Sequence, residues 1–152
     1  QLTDTGTSYL PPKLKKLTVD KCWKVTCKQL PPALQVLVAH DVNISDVIFK
    51  YLPRTLHTLD LDSTGNPIGP GLQDLPPTLT SLNLSRCSRL KDIGMLPSNL
   101  KELIYQDGDV TENLFAMLPI PIRRLDLSSC SFAFDLWLQV SVCCRSFVLY
   151  LI

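Results

Sequence analysis

LPPTLTSLNLSRC, Leu75 to Cys87, decides how this chain folds. It opens on prolines that hold an extended, polyproline-like backbone and cannot continue a helix. Leucines follow at Leu79, Leu82 and Leu84, and a polar residue, Asn83, separates the last two. That period of two predicts a short strand with one buried face. The unit recurs along the chain. Its leading leucine falls at Leu10, Leu30, Leu52, Leu75, Leu96 and Leu118, at spacings of 20, 22, 23, 21 and 22 residues. Each is followed by an apolar triplet: Leu14, Leu17, Val19; Leu34, Leu37, Ala39; Leu56, Leu59, Leu61; Leu79, Leu82, Leu84; Leu100, Leu103, Tyr105; and Ile122, Leu125, Leu127.

About 22 residues per unit is too few for a strand followed by a full crossover helix. The economical arrangement is an α/β solenoid, with one strand per turn stacked in parallel and the return paths on the opposite side. Five or six aliphatic side chains per unit cannot offset the entropy of ordering the unit alone, so stability must come from stacking. The return paths differ. Ser45-Asp46-Val47-Ile48-Phe49 and Thr111-Glu112-Asn113-Leu114-Phe115 read as an N-cap followed by one helical turn that ends before a proline. Gly65-Asn66-Pro67-Ile68-Gly69-Pro70-Gly71 reads as an extended loop.

The chain is 152 residues long, the size of one domain, and its 7% aromatic content leaves the core to Leu, Ile and Val. Ten of its 12 prolines sit in the recurring box. A net charge of +1, with both signs dispersed, provides no basic stripe for nucleic acid and no acidic tail. Gln1 in place of an initiator methionine implies a fragment or a processed form. The six cysteines include no CxxC pair of the redox or zinc type.

The pattern LxxLxLxxC, with LP marking its start, resembles the leucine-rich repeat over residues 10 to 132. The Pro box resembles the bacterial-type LPxxLxxLxV repeats, and Gly65 to Leu82 is similar to the FNIP type. The resemblance implies a horseshoe of about six parallel short strands on a concave face, with loops or single helical turns on the convex side. It also implies a protein-binding role for the concave face. In such repeats an Asn or Cys three residues after the last strand leucine bonds backbone groups of neighbouring turns. Cys22, Cys87 and Cys130 hold that place here, while Val42, Thr64 and Gly108 depart from it. Cys22 and Cys87 would stand about three turns of roughly 5 Å apart, which excludes a shared zinc.

The residues alternating with the strand leucines should share one solvent-facing surface. In order they are Lys16, Thr18, Asp20; Val36, Val38, His40; Thr58, Asp60, Asp62; Ser81, Asn83, Ser85; Glu102, Ile104, Gln106; and Arg124, Asp126, Ser128. The candidate partner-binding residues are Lys16, Thr18, His40, Thr58, Asp60, Asp62, Ser81, Asn83, Ser85, Glu102, Gln106, Arg124, Asp126 and Ser128. Mixed signs, acidic at Asp60 and Asp62 and basic at Lys16 and Arg124, suit a protein or peptide partner better than nucleic acid. His40, Asp60 and Asp62 are close enough to raise the question of catalysis or metal binding. They lack an activated nucleophile and an orienting third group, and an exposed polar face accounts for them. His57 reads as ordinary, and no phosphate loop, zinc signature or nucleophile elbow occurs.

The expected organisation is a flank or cap at 1–9, the repeated region at 10–132 and an apolar tail or cap at 133–152. The tail, FDLWLQVSVCCRSFVLYLI from Phe134, has three readings: a cap over the last turn, a truncated membrane span that Arg145 and its length oppose, or sequence unmatched to the fold. Sequons at Asn43-Ile44-Ser45 and Asn83-Leu84-Ser85 point weakly to secretion, whereas free ladder thiols favour an intracellular location. The expected function is a non-enzymatic interaction module that needs no cofactor and no metal. The alternatives are the substrate-recognition segment of a larger enzyme such as a ubiquitin ligase, or a surface-antigen-type repeat.

Overall fold

The computed structural model describes residues 3–22, 24–42, 44, 46–64, 69–87, 95–110, 112–132 and 148–150. The chain opens on a short helix α1 (Asp4–Thr7), then alternates strands with brief return segments: β1 (Lys16–Asp20), β2 (Val36–His40), β3 (Thr58–Asp60), β4 (Ser81–Asn83) and β5 (Glu102–Ile104). Then come β6 (Asp109–Val110), helix α2 (Glu112–Met117), β7 (Arg124–Asp126), β8 (Ser131–Phe132) and β9 (Val148–Tyr150). One open sheet has the order β1-β2-β3-β4-β5-β7-β9, and every pairing in it is parallel. β6 and β8 form a second, two-stranded parallel ladder.

The register follows the sequence recurrence. Leu17, Leu37, Leu59, Leu82, Leu103 and Leu125 lie opposite one another across the sheet. All but Leu17 are buried, as are Leu34, Leu56, Leu79, Leu100 and Ile122 in the preceding triplet position. Leu14 and Leu17 are only partly covered, because β1 has a neighbour on one side alone.

The proline box works by closing a tight turn. In all six copies the amide at the first triplet position donates to a proline carbonyl three residues back, as Leu14 does to Pro11 and Leu79 to Pro76. The turn delivers the chain to the strand at a constant point, where one carbonyl accepts two amides of the next strand's start. Lys15 O takes Gln35 N and Val36 N; Gln35 O, His57 O, Thr80 O and Lys101 O repeat the pattern. Thr55 and Thr78 add hydroxyl donors to the carbonyls of Leu34 and Leu56 in the preceding unit, both at 2.7 Å.

One to three residues after β1, β2, β3, β4, β5 and β7 comes a residue with positive φ: Lys21, Asp41, Ser63, Arg86, Asp107 and Ser129, at φ between 49° and 61°. Every one of them stands eleven positions after the leading leucine of its box. Side chains enter this left-handed region at a cost, and Asn, Asp and Gly enter it most easily. None of the six is glycine and only Asp41 and Asp107 are of the types that enter it easily, so composition gave little sign of the turn. The amides of Lys21, Ser63, Arg86 and Asp107 extend the ladder beyond the strands, as in Lys21 N to His40 O at 3.0 Å and Arg86 N to Gln106 O at 2.9 Å.

The return segments run partly as expected. Asp46–Tyr51 is a 3₁₀ helix and Glu112–Met117 an α-helix, each one to two turns long. The proposed N-caps Ser45 and Thr111 lie outside the described residues. The extended loop expected over Gly65–Gly71 is corrected at its end: Pro70–Asp74 forms a 3₁₀ helix that packs on Asp46–Tyr51. Proline is compatible with a first helical position because its missing N–H would have no partner there, and Leu72 of this helix is fully buried. Gly65–Ile68 lie outside the described residues. At the end of the chain, β9 pairs in register with β7, setting Leu149 opposite Leu125. The last residues of the apolar tail therefore add a seventh strand, which the missing proline box did not suggest; 133–147 lie outside the described residues.

Gly108, one of the departures from the Asn/Cys pattern, has a specific cause. Tyr105 replaces the last strand leucine, is buried, and lies over Gly108, where an added Cβ would stand 2.2 Å from the ring. Gly108→Ala should therefore lower stability by about 1–3 kcal/mol in urea unfolding, and Tyr105→Leu should restore most of that loss in the double variant. At the exposed left-handed residue Ser129, Ser129→Val should cost on the order of 1–3 kcal/mol. Ser129→Gly should stay within about 1 kcal/mol of the parent, by the same assay.

Candidate binding face

The parallel register lines the alternating residues up in rows on the side away from the core. The first row is Lys16, Val36, Thr58, Ser81, Glu102 and Arg124; the second is Thr18, Val38, Asp60, Asn83, Ile104 and Asp126. In β1 and β2 a third row continues as Asp20 and His40. Beyond β3 the strands are only three residues long, so Asp62, Ser85, Gln106 and Ser128 fall in the turns that follow.

The rows are tied together laterally. Glu102 accepts from Ser81 Oγ at 2.7 Å and from Arg124 on its other side. Gln106 Nε2 donates to Asp126 Oδ2 at 3.1 Å. Asp62 accepts from Arg86 Nε at 2.8 Å, and the second guanidinium nitrogen completes a two-pronged pair. Arg86 was absent from the expected site. It occupies the left-handed position after the next strand, which only the observed turn brings beside Asp62.

Asp60, Asn83 and Asp126 share a structural duty that alternation alone did not disclose. Each turns its side-chain oxygen onto the amide two residues ahead: Asp62 N at 3.2 Å, Ser85 N at 2.9 Å and Ser128 N at 3.1 Å. Such Asx turns terminate the strand and start the left-handed bend. Ser85 and Ser128 add their hydroxyls to the same oxygens. As a result Ser85 and Asp126 are buried, 3% and 8% exposed, which corrects the expectation that all alternating residues face solvent. Lys16, Thr18 and Arg124 are exposed, and Thr58, Ser81, Asn83, Glu102, Gln106 and Ser128 are half-buried. Asn83, the asparagine of the second sequon, has its oxygen bonded to Ser85. Asn43 of the first sequon is outside the described residues.

His40 Nε2 stands 3.1 Å from Asp60 Oδ1. The approach lacks hydrogen-bond alignment, and this nitrogen is buried with no hydrogen-bond partner. The contact becomes an ion pair when the imidazole carries a proton. Asp62 is half-buried, and the Arg86 guanidinium holds its carboxyl below the usual carboxylate range, against the opposing effect of burial. At Asp126 burial raises the carboxyl, but the bonds from Ser128 and Gln106 and the charge of Arg124 outweigh it, so the net shift is downward. Each of these carboxylates is thus engaged with its own chain. Among the described residues, no cluster of three His, Cys, Asp or Glu side chains is placed to hold a metal ion.

The cysteines behind the sheet behave as structural thiols. Cys87 Sγ donates to Leu61 O at 3.4 Å and contacts Thr64 Oγ1 at 3.2 Å, while Cys130 Sγ donates to Tyr105 O at 2.9 Å. Both bonds reach the preceding unit, and Thr64, a departure from the Asn/Cys pattern, adds its own contact to Cys87 from that unit. Cys22, Cys27, Cys87 and Cys130 are free. Burial pushes the Cys27 thiol up to about 12, helped by the charge of Asp4, and burial raises Cys87 and Cys130 as well. Asp4 in turn accepts the Thr26 amide at 2.6 Å, fastening α1 to the loop after β1. His57 is exposed and contributes its backbone to the ladder.

Among the described residues, cavities open away from the rows. One, of about 390 Å³, is lined by Cys87, Tyr105, Asp107, Gly108, Asp109, Ser129 and Ser131. Another, about 450 Å³ and mostly apolar, lies between Met95–Ser98 and Ala116–Pro121. Neither is lined by a residue of the rows. No protein-family model matches this chain, and no curated protein matches it.

The Asp62–Arg86 pair predicts a particular pH dependence. Its folded carboxyl titrates below the unfolded value of about 3.9, so its stabilisation is complete above that value and is lost as pH falls through the folded one. The gap in urea midpoint between the parent and Arg86→Gln should therefore be present at neutral pH and close in strong acid. An NMR titration should show the Asp62 carboxyl moving up in the variant.

Proposed function

We propose that this chain is a module of the leucine-rich-repeat type, an α/β solenoid of about six turns, that binds a protein or peptide on its sheet face and performs no catalysis. The observation that carries the reading is the register. Six equivalent leucines stand opposite one another, and the residues between them form straight rows across neighbouring strands. The six-fold recurrence of the proline turn and of the left-handed residue supports a repeated unit.

The rows suit recognition of a macromolecule. Half-exposed Val36 and Val38 sit side by side on β2, with Lys16, Thr18, Thr58 and Asp60 beside them on the adjoining strands. Apolar contacts of this kind, rimmed by polar groups, supply the desolvated centre of an interface. The lateral bonds hold Glu102, Arg124, Gln106 and Asp62 in place before any partner arrives, so little side-chain entropy is lost on binding. The first row mixes signs in Lys16, Glu102 and Arg124 and the second carries only the acidic Asp60 and Asp126, which suits a protein surface and leaves no track for a phosphate backbone.

The test is an affinity capture with the parent chain, a face variant, Val36→Arg with Val38→Arg, and a control, Val47→Glu, on the exposed side of the Asp46–Tyr51 helix. A partner held by the parent and by the control, and weakened at least tenfold by the face variant, is the expected result. Equal capture by all three chains would rule out the sheet face.

A further inference from the structure

The seven-stranded sheet begins at β1, whose one hydrogen-bonded neighbour in it is β2. An open strand edge is a template for a further strand, and proteins commonly cover or guard it. Here the exposed edge coincides with incomplete core coverage. Leu14 and Leu17 are partly buried, whereas their equivalents in the next five units are fully buried. Lys16, Thr18 and Asp20 are exposed.

The ladder identifies which backbone groups point outward. β2 engages the Lys15 carbonyl and the Lys21 amide. In a parallel ladder alternate residues of a strand serve one neighbour. Leu17 and Val19 therefore bond to β2, and Lys16, Thr18 and Asp20 direct their N–H and C=O groups to the open side.

The strand KLTVD reads as its own partner. If two copies meet antiparallel about Thr18, the residues opposite one another are Lys16 with Asp20, Leu17 with Val19, and Thr18 with Thr18. Every outward-directed backbone group of Lys16, Thr18 and Asp20 then finds a partner. The Lys16–Asp20 pair occurs twice, with opposite charges directly across the ladder, an arrangement that stabilises antiparallel strands. Leu17 meets Val19 in the closer, non-hydrogen-bonded pairing, which covers the leucine that the chain itself leaves half-exposed. Slipping the register by one residue would destroy both charge pairs and turn the apolar residues to the wrong face. The left-handed residue Lys21 bounds the ladder at φ 52°.

We infer that the β1 edge is a self-association surface, and that its partner is a second copy of this chain paired antiparallel across a two-fold axis at Thr18. Such an interface is isologous and closed, so it gives a dimer and no further growth. It leaves the rows of both copies open.

Sedimentation analysis of the 152-residue chain over a concentration series tests the inference. The contact is small, so a reversible dimer half-formed on the order of 100 μM is expected. Thr18→Pro removes one outward N–H, a change that edge strands tolerate, and should give a monomer with unchanged circular dichroism. Asp20→Lys alone sets like charges across the axis and should weaken the dimer by about tenfold or more. Adding Lys16→Asp to it restores opposite charges and should restore the dimer. A parent chain that stays monomeric to about 1 mM overturns the inference. So does a dimer indifferent to Thr18→Pro, or a charge-reversed double variant no stronger than the single one. Loss of partner capture in the Val36/Val38 variant with dimerisation intact bears on the binding face alone.

Discussion

The structure depends on a backbone ladder that no single unit can complete. A carbonyl just before each strand accepts two amides from the next unit, and the left-handed residue after the strand donates an amide onward. Buried backbone groups must be paired, and in strands of three to five residues almost all of that pairing is with neighbours. The leucines follow the same logic. Leu59 and Leu82 are buried because each has a neighbour on both sides, and Leu17 is only partly buried because it has one. Stability is therefore a property of the stack, and its weakest points are the strands with a neighbour on one side alone.

The proline box and the left-handed bend bracket each strand from opposite ends. The first sets where the strand begins by closing a tight turn, and the second sets where it stops. Between them only three residues are strictly extended in β3, β4, β5 and β7. That brevity governs the outward rows. Positions that would continue a longer strand become turn residues, and the aspartate or asparagine ahead of them is drawn into an Asx turn. Asp60, Asn83 and Asp126 thus serve the fold first, and what they offer a partner is the remainder of their side chains.

Two ends of the sheet meet this constraint differently. At β7 the chain supplies β9, in register and opposite Leu125, from a sequence without the proline box. At β1 the chain supplies α1, fastened through Asp4 to Thr26, which leaves the outer strand edge open. More of the same chain extends the first end by one strand, and at the second the edge carries charges that match their own inverse.

Much of the architecture was legible in the sequence. Constant spacing of Leu10, Leu30, Leu52 and their successors determined six strands of the sheet, their parallel sense and the leucine register, because a strand's side chains alternate strictly and a short unit can only stack. The rows were legible for the same reason. What the sequence left undetermined were features made by contact between units. No glycine marks Lys21, Ser63 or Arg86 as left-handed, and the Asx turns that lead into the bends at Ser63 and Arg86 show only in the structure. Arg86 became a partner of Asp62, and Ser85 and Asp126 became buried, only when neighbouring units met. Gly108 carries no visible meaning until the Tyr105 ring is placed over it, and β9 lacks the box that announced the other strands. Periodicity along the chain determines which residues share a face; distance across the stack decides which of them are already spoken for.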